Sequence, residues 1–273
     1  MNRDIIDKLE SLKEYLGNLG SVAIAFSGGV DSTFLLRVAH DVLDENTIAI
    51  MLKAKAFPSE ELAEAQRFCE NEGIKYCVCE FEPLNIDGFA DNPPDRCYIC
   101  KKKIFNEIIE IAKEHGVDNV AEGSNMDDIS DYRPGLRAIN ELNVFSPLQK
   151  AELSKDEIRM LSRQLGLSTW KKPSKACLAS RFVYGEKITK EKLQMIDRAE
   201  QFLMEHGFEQ NRVRIHGMMA RIEILPKQFD KFMEDNIREE IYNYFKYLGF
   251  SYITLDILGF RSGSMNEELL WKK

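Results

Sequence analysis

Cysteine, proline and histidine are all scarce in this chain, with six, eight and four copies. The cysteines, Cys69, Cys77, Cys79, Cys97, Cys100 and Cys177, are too few and too irregularly spaced for a disulfide framework. That points to a reducing compartment and turns attention to metal or thiol chemistry. No apolar run approaches the length of a membrane span, and Met1 to Gly20 carries charges where a secretory signal needs an apolar centre. Low-complexity tracts are missing as well. The expectation is a cytoplasmic protein with no membrane partner. Positive charge is in deficit, since 37 Lys and Arg against 45 Asp and Glu leave a formal net charge of -8. Such a balance repels nucleic acid on average and favours small-molecule substrates. What is present is an ordinary globular mixture, 44% hydrophobic and 30% charged, in 273 residues. That length suits one large and one smaller domain, each with its own core.

The pattern along the chain alternates. Ile5, Ile6, Leu9, Leu12, Leu16 and Leu19 have helical spacing and predict a leading helix. A short apolar run, Val22-Ala23-Ile24-Ala25-Phe26, reads as a buried parallel strand, followed by a glycine turn and a helix from Ser32 to Leu43. Strands are expected at Thr47–Leu52, Tyr76–Phe81, Asn119–Glu122 and Ser146–Leu148. Helices are expected from a Ser59 cap to Asn71, from Lys101 to His115 and from Lys155 to Leu165. Alternating strands and helices imply right-handed crossovers, hence an α/β domain built on a doubly wound parallel sheet over residues 1–170. Beyond Trp170 the rhythm changes. A helix from Thr189 to His206, a hairpin of Val213–His216 with Ala220–Leu225, a helix over Phe229–Tyr247 and a strand at Tyr252–Leu258 make a second, smaller α/β domain, 171–273.

The first strand runs directly into Ser27-Gly28-Gly29-Val30-Asp31-Ser32. In open parallel sheets ligands settle beyond the carboxyl ends of the strands. Two glycines let backbone N–H groups approach phosphate oxygens, the next helix points its positive end at the same place, and Ser27 and Ser32 add hydroxyls. The lysine of a Walker loop is lacking. A carboxylate beside bound pyrophosphate needs an intervening cation, so Asp31 is assigned to Mg²⁺. The competing reading is a tight turn with no ligand. The string resembles the PP-loop ATP pyrophosphatase superfamily, which implies that a substrate oxygen attacks the α-phosphate of ATP, giving an adenylate and pyrophosphate. The resemblance places Ala25, Ser27, Gly28, Gly29, Asp31 and Ser32 at the ATP, Met51 against adenine, and Gly123 at the nucleotide's border.

Cys97 and Cys100 form a CxxC pair placed just before a helix, where the dipole and nearby bases favour thiolates. One such pair cannot complete a tetrahedral zinc site, and Cys177 is the one other cysteine outside a regular element. Three thiolates suit a 4Fe-4S cluster with an open iron. Surface thiols, a redox dithiol and zinc with a histidine are the alternatives, while Cys69, Cys77 and Cys79 read as small apolar packing.

Four segments, Pro94–Lys101, Glu122–Asp128 with Asp131–Gly135, Ala176–Arg181 and Val213–Gly217, together resemble the LarE family of sulfur transferases, which serve nickel-pincer nucleotide synthesis. The resemblance implies a pyridinium dicarboxylate mononucleotide as substrate, a sulfide or other sulfur donor as partner, and a homo-oligomer. It also implies a 4Fe-4S cluster on Cys97, Cys100 and Cys177; in the alternative mechanism Cys177 alone gives up its sulfur. A substrate with phosphate and carboxylates calls for arginine forks, and Arg212 and Arg214, at alternate positions entering a strand, are the choices for the phosphate. Arg181 and Cys177 are candidate catalytic residues with Asp31. Glu200 matches a family acid, although its spacing alone describes a surface glutamate. Asp127, Asp128, Asp131, Arg133 and Arg137 form a charged loop suited to metal and nucleotide handling or simply to solvent. A PP-loop tRNA thiolation enzyme and a non-catalytic nucleotide or iron-sulfur sensor are the other functional readings.

Overall fold

The computed structural model describes residues 3–53, 59–130, 134–172, 177–261 and 263–267, with the side chains of all of these except 59–61 and 129–130. The expectations on Asp131, Tyr132, Arg133 and Ala176, and on the side chain of Ser59, lie outside that description. The chain forms two compact units. The first comprises Met1–Pro83 and Cys97–Lys175, and the second Leu84–Arg96 and Ala176–Lys273.

The first unit holds a four-stranded sheet of β1 (Val22–Ala25), β2 (Thr47–Lys53), β3 (Lys75–Glu80) and β4 (Val120–Ala121) in the order β3-β2-β1-β4. Every pairing is parallel. The strands read as near-continuous apolar runs because both faces are covered, the signature of a buried parallel sheet. On one face Val22, Ile24, Ala49 and Met51 pack with α1 (Arg3–Leu19), α2 (Val30–Leu43), α3 (Ser59–Glu72) and α7 (Lys155–Gln164). On the other, Ala23, Ile48, Ile50 and Val120 pack with α4 (Arg96–Glu114) and α5 (Gly135–Glu141). Alternate strand residues therefore feed opposite cores, as the two-residue strand period requires. After β3 the chain returns to the far side of β1, so strand order reverses between β1 and β4. That reversal is the position where doubly wound sheets open a crevice for ligands.

Several expected elements shift. Ser146–Leu148 is not a strand: only Phe145 makes a parallel bridge, to Ala121, and Pro147 then opens a short helix, α6 (Pro147–Lys150). Proline suits that first helical position, where its missing N–H leaves no bond unmade. α4 begins at Arg96, whose amide donates to the Pro93 carbonyl at 2.9 Å, and so takes in the CxxC pair expected ahead of it. α5 was not signalled at all.

In the second unit β5 (Asn211–His216) and β6 (Met219–Ile224) make the expected antiparallel hairpin, and β7 (Tyr252–Leu255) adds in parallel to β6. The helix expected over Phe229–Tyr247 divides at Glu234, whose ψ of 133° is extended, into α9 (Phe229–Met233) and α10 (Asp235–Leu248). α8 (Lys190–Glu205) buries Leu193, Ile196, Ala199 and Leu203. The segment Leu84–Arg96 is tied in by Asn92, fully buried at a left-handed φ of 53°. Asn92 donates from Nδ2 to the Val183 carbonyl at 2.6 Å, and its own carbonyl accepts from Gly185 N at 2.9 Å.

Candidate functional site

The turn after β1 is pre-set by its own side chains. Gly28 takes a φ of 70°, a backbone form that a side chain disfavours. The hydroxyls of Ser27 and Ser32 meet at 3.0 Å, Ser32 Oγ donates to the Gly29 carbonyl at 3.3 Å, and Gly29 N donates to Ser27 Oγ at 3.4 Å. The first helical bond of α2 runs from Thr33 N to Gly29 O at 2.9 Å, leaving the preceding amides of that helix end without helical partners. At the mouth of the crevice, the turn after β4 comes against this loop. A Cβ on Gly123 would stand 3.1 Å from Ser32 N and 3.3 Å from the Asp31 carbonyl carbon. The two turns pack backbone on backbone, and a side chain there would force Ser32 and Asp31 to give by a few tenths of an ångström.

Asp31 is held from two sides. Asn125 Nδ2 donates to its Oδ1 at 3.3 Å, and Lys155 Nζ pairs with its Oδ2. Around them Lys155 N donates to Asp127 Oδ2 at 2.7 Å, Asn125 N to Asp128 Oδ2 at 3.0 Å, and Gln149 Nε2 to the Asn125 carbonyl at 3.1 Å. Lys172 Nζ braces the loop through the Gly28 carbonyl at 3.2 Å and also reaches Glu64 at 2.9 Å. Ala25 and Met51 end or near the ends of their strands. The Met51 side chain is 1% exposed and packs in the core. Arg137 lies over the ring of Tyr98 at 3.6 Å and pairs with Glu141.

Cys97 and Cys100 fall in the first two turns of α4, three residues apart and hence on one helical face. Cys97 is exposed and Cys100 half-buried. Burial instead pushes the thiols of Cys69 and Cys79 up to about 12, in keeping with packing roles. Cys177, in the second unit, is also exposed. Among the described residues no three His, Cys, Asp or Glu side chains gather to hold a metal ion. Thiolates of this kind are chemically suited to iron.

Cys177 precedes a single 3-10 turn, Leu178–Arg181. Its carbonyl accepts from Ser180 N at 2.9 Å, Ser180 Oγ at 2.7 Å and Arg181 Nη1 at 3.1 Å. Arg181, 2% exposed, forks onto Glu200 through two bonds of 2.8 Å. Glu200 is thus a buried partner rather than a surface acid, and it also accepts from Val213 N at 2.9 Å. Arg212 and Arg214 share one face of β5. Arg214 donates to Glu223, to Ser264 Oγ and to the Ser180 carbonyl, each at 3.0 Å. Arg221 Nη2 also donates to Glu223, at 3.1 Å, so four guanidiniums gather on two carboxylates. Burial first, and then repulsion from Arg181, brings Arg212 down to about 10, and burial also lowers Arg214. Glu223 and Ser264 were not picked out from sequence, although Glu223 sits opposite Arg212 in the hairpin register and could be found there. Lys155 had no local signal, lying 124 positions from Asp31.

A glycine-bearing loop at the switch point of a parallel sheet, with a carboxylate in the first turn of the following helix, defines an ATP-dependent enzyme of the PP-loop class. Residues 5–91 match the NAD synthase family model. Over 96% of the chain the sequence is 37% identical to 95% of the pyridinium-3,5-bisthiocarboxylic acid mononucleotide synthase of Lactiplantibacillus plantarum. It is 42% identical, over 96% of the chain and 98% of the relative, to an uncharacterized protein of Synechocystis sp., and 30% identical, over 95% and 98%, to another of Methanocaldococcus jannaschii. The chain belongs to the LarE family and is an ATP-dependent, sulfur-transferring enzyme. No helix among the described residues is long and apolar enough to cross a membrane.

Proposed function

We propose that the enzyme activates a carboxylate of a pyridinium dicarboxylate mononucleotide with ATP and replaces its oxygen by sulfur. The observation that carries this reading is the fit of Gly123 against Ser32 and Asp31, a close backbone approach at the switch point that lets main-chain amides face a polyphosphate. The amides at the start of α2 bind the phosphates, and Asp31 would hold a Mg²⁺ that would offset the polyphosphate charge. A substrate carboxylate oxygen attacks the α-phosphorus, the bond to the β-phosphate oxygen breaks, and pyrophosphate leaves. A sulfur nucleophile then attacks the acyl carbon, the carbon–oxygen bond breaks, and AMP departs with both electrons. Arg212 and Arg214 are the groups for the substrate's phosphate. Arg181 and Glu200 hold the Cys177 turn in place.

A 4Fe-4S cluster on Cys97, Cys100 and Cys177 would supply an open iron able to carry sulfide, and the exposure of Cys97 and Cys177 supports that assignment. Anaerobic protein should then be brown, with iron and acid-labile sulfide lost in Cys97→Ala. Colourless protein that loses the mass of hydrogen sulfide from Cys177 during turnover favours sulfur sacrifice instead. The exposed Tyr247, Tyr252, Ile257 and Leu258 of the second unit support a homo-oligomer, which native mass measurement tests. For the reaction itself, pyrophosphate release with the carboxylated pyridinium mononucleotide should require both ligands and fall about 100-fold or more in Asp31→Ala. Full release by that variant would remove Asp31 from the mechanism.

A further inference from the structure

We infer that Lys155 is a phosphate-binding residue of the nucleotide site, held on Asp31 until nucleotide arrives. The inference rests on the nucleotide reading of the Ser27–Ser32 loop. That loop carries no lysine of its own, yet one is delivered to it by α7. The backbone of Lys155 is fixed: its amide donates to Asp127, and the Ser154–Glu157 capping box clamps the same helix end. Its side chain is not fixed in the same way, being a four-carbon stem that ends on one carboxylate oxygen.

The charge arrangement is unusual for a resting surface pair. A lysine in the first turn of a helix adds a cation where the helix end is already positive, which by itself is unfavourable. The start of α2 brings a second positive helix end to the same carboxylate, because Asp31 lies in its first turn. Asp31 offsets this positive potential, with Asn125 on its other oxygen. Both partners stay accessible, with side chains 23% and 21% exposed, so a ligand can reach each of them. If a divalent cation takes Asp31, the ammonium faces a like charge and loses its partner. The stem lets it turn to the polyphosphate, whose negative charge replaces that of the carboxylate. A lysine binds phosphate as a point charge and needs no fixed fork to do so. Lys172 does not fill this role, since its ammonium is committed to the Gly28 carbonyl and Glu64.

The test is equilibrium binding of ATP and of AMP to the full chain, with Mg²⁺ and with chelator. Lys155→Ala should weaken ATP about tenfold or more, leave AMP unchanged and flatten the salt dependence of ATP binding. Lys155→Arg should recover part of the loss. The ATP defect should persist in the Asp31→Asn background, where the resting pair no longer exists. Equal loss of ATP and AMP, no loss, or a defect that vanishes in that background would overturn the role. A wild-type chain that binds neither nucleotide would instead overturn the nucleotide site itself. If Lys155→Ala lowers the melting temperature, Lys155→Gln, which keeps a polar contact to Asp31, replaces it in the same comparison.

Discussion

Gly123 shows how little freedom the site allows at single positions. An alanine there must displace the backbone of Ser32 and Asp31, because no flexible side chain stands in the way to yield. Gly123→Ala should cost about 1–3 kcal/mol in denaturant unfolding and abolish ATP binding, whereas a merely open turn would tolerate the methyl. Arg212 makes a separate prediction through its charge. Its folded value of about 10 lies below the ordinary guanidinium range, so between the two the unfolded chain holds the extra proton and stability rises with pH. Below about 10 the charge is present and its burial counts against the fold. An anion bound by Arg212 follows the opposite course: affinity for the phosphate-bearing substrate should be level from neutral pH to about 9 and weaken above about 10. Affinity unchanged well above that point would take Arg212 out of the binding site.

At the scale of elements, α4 and the cysteines it carries decide which thiols can react. Because Cys97 and Cys100 lie one turn apart on an accessible helix start, brief alkylation near pH 8 should mark Cys97 and Cys177 first. Cys69 and Cys79, whose thiols hold their protons to about 12, should remain unmarked until unfolding. Peptide mass mapping reads the order directly, and early labelling of Cys69 would contradict its place in the core. Most regular elements were legible from period alone: the apolar strands, the amphipathic α1 and α8, and the β5–β6 hairpin. The failures have local causes. Pro147 was read as part of a strand although its neighbours start a helix, and Pro93–Pro94 hid the early start of α4. Glu234 breaks a helical pattern that Phe229, Phe232, Ile241 and Phe245 continue on both sides. The glycine loop announced itself because its residues are consecutive. Lys155 and Asn125 reach Asp31 through the fold, and no spacing rule connects them, whereas Glu223 is reachable from the hairpin register.

Across the whole molecule, the chain leaves the first unit at Leu84 and returns to it at Cys97. Asn92 secures that excursion with a left-handed backbone and bonds to Val183 and Gly185, all inside the second unit. Asn92→Ala should therefore cost roughly 2–4 kcal/mol, from backbone strain and unmade buried bonds together. The loss should appear in the melting of the second unit and leave nucleotide binding by the first nearly intact, as separate probes of each unit can show. An unchanged melting curve would mean that the excursion is not a structural part of that unit. Cys177 gives this unit a further property. Three donors grip its carbonyl, and none of them depends on its sulfur. The sulfur and the atom that anchors the turn are different atoms, so a chemical change at the thiol would leave unbroken every one of the three bonds that hold the turn.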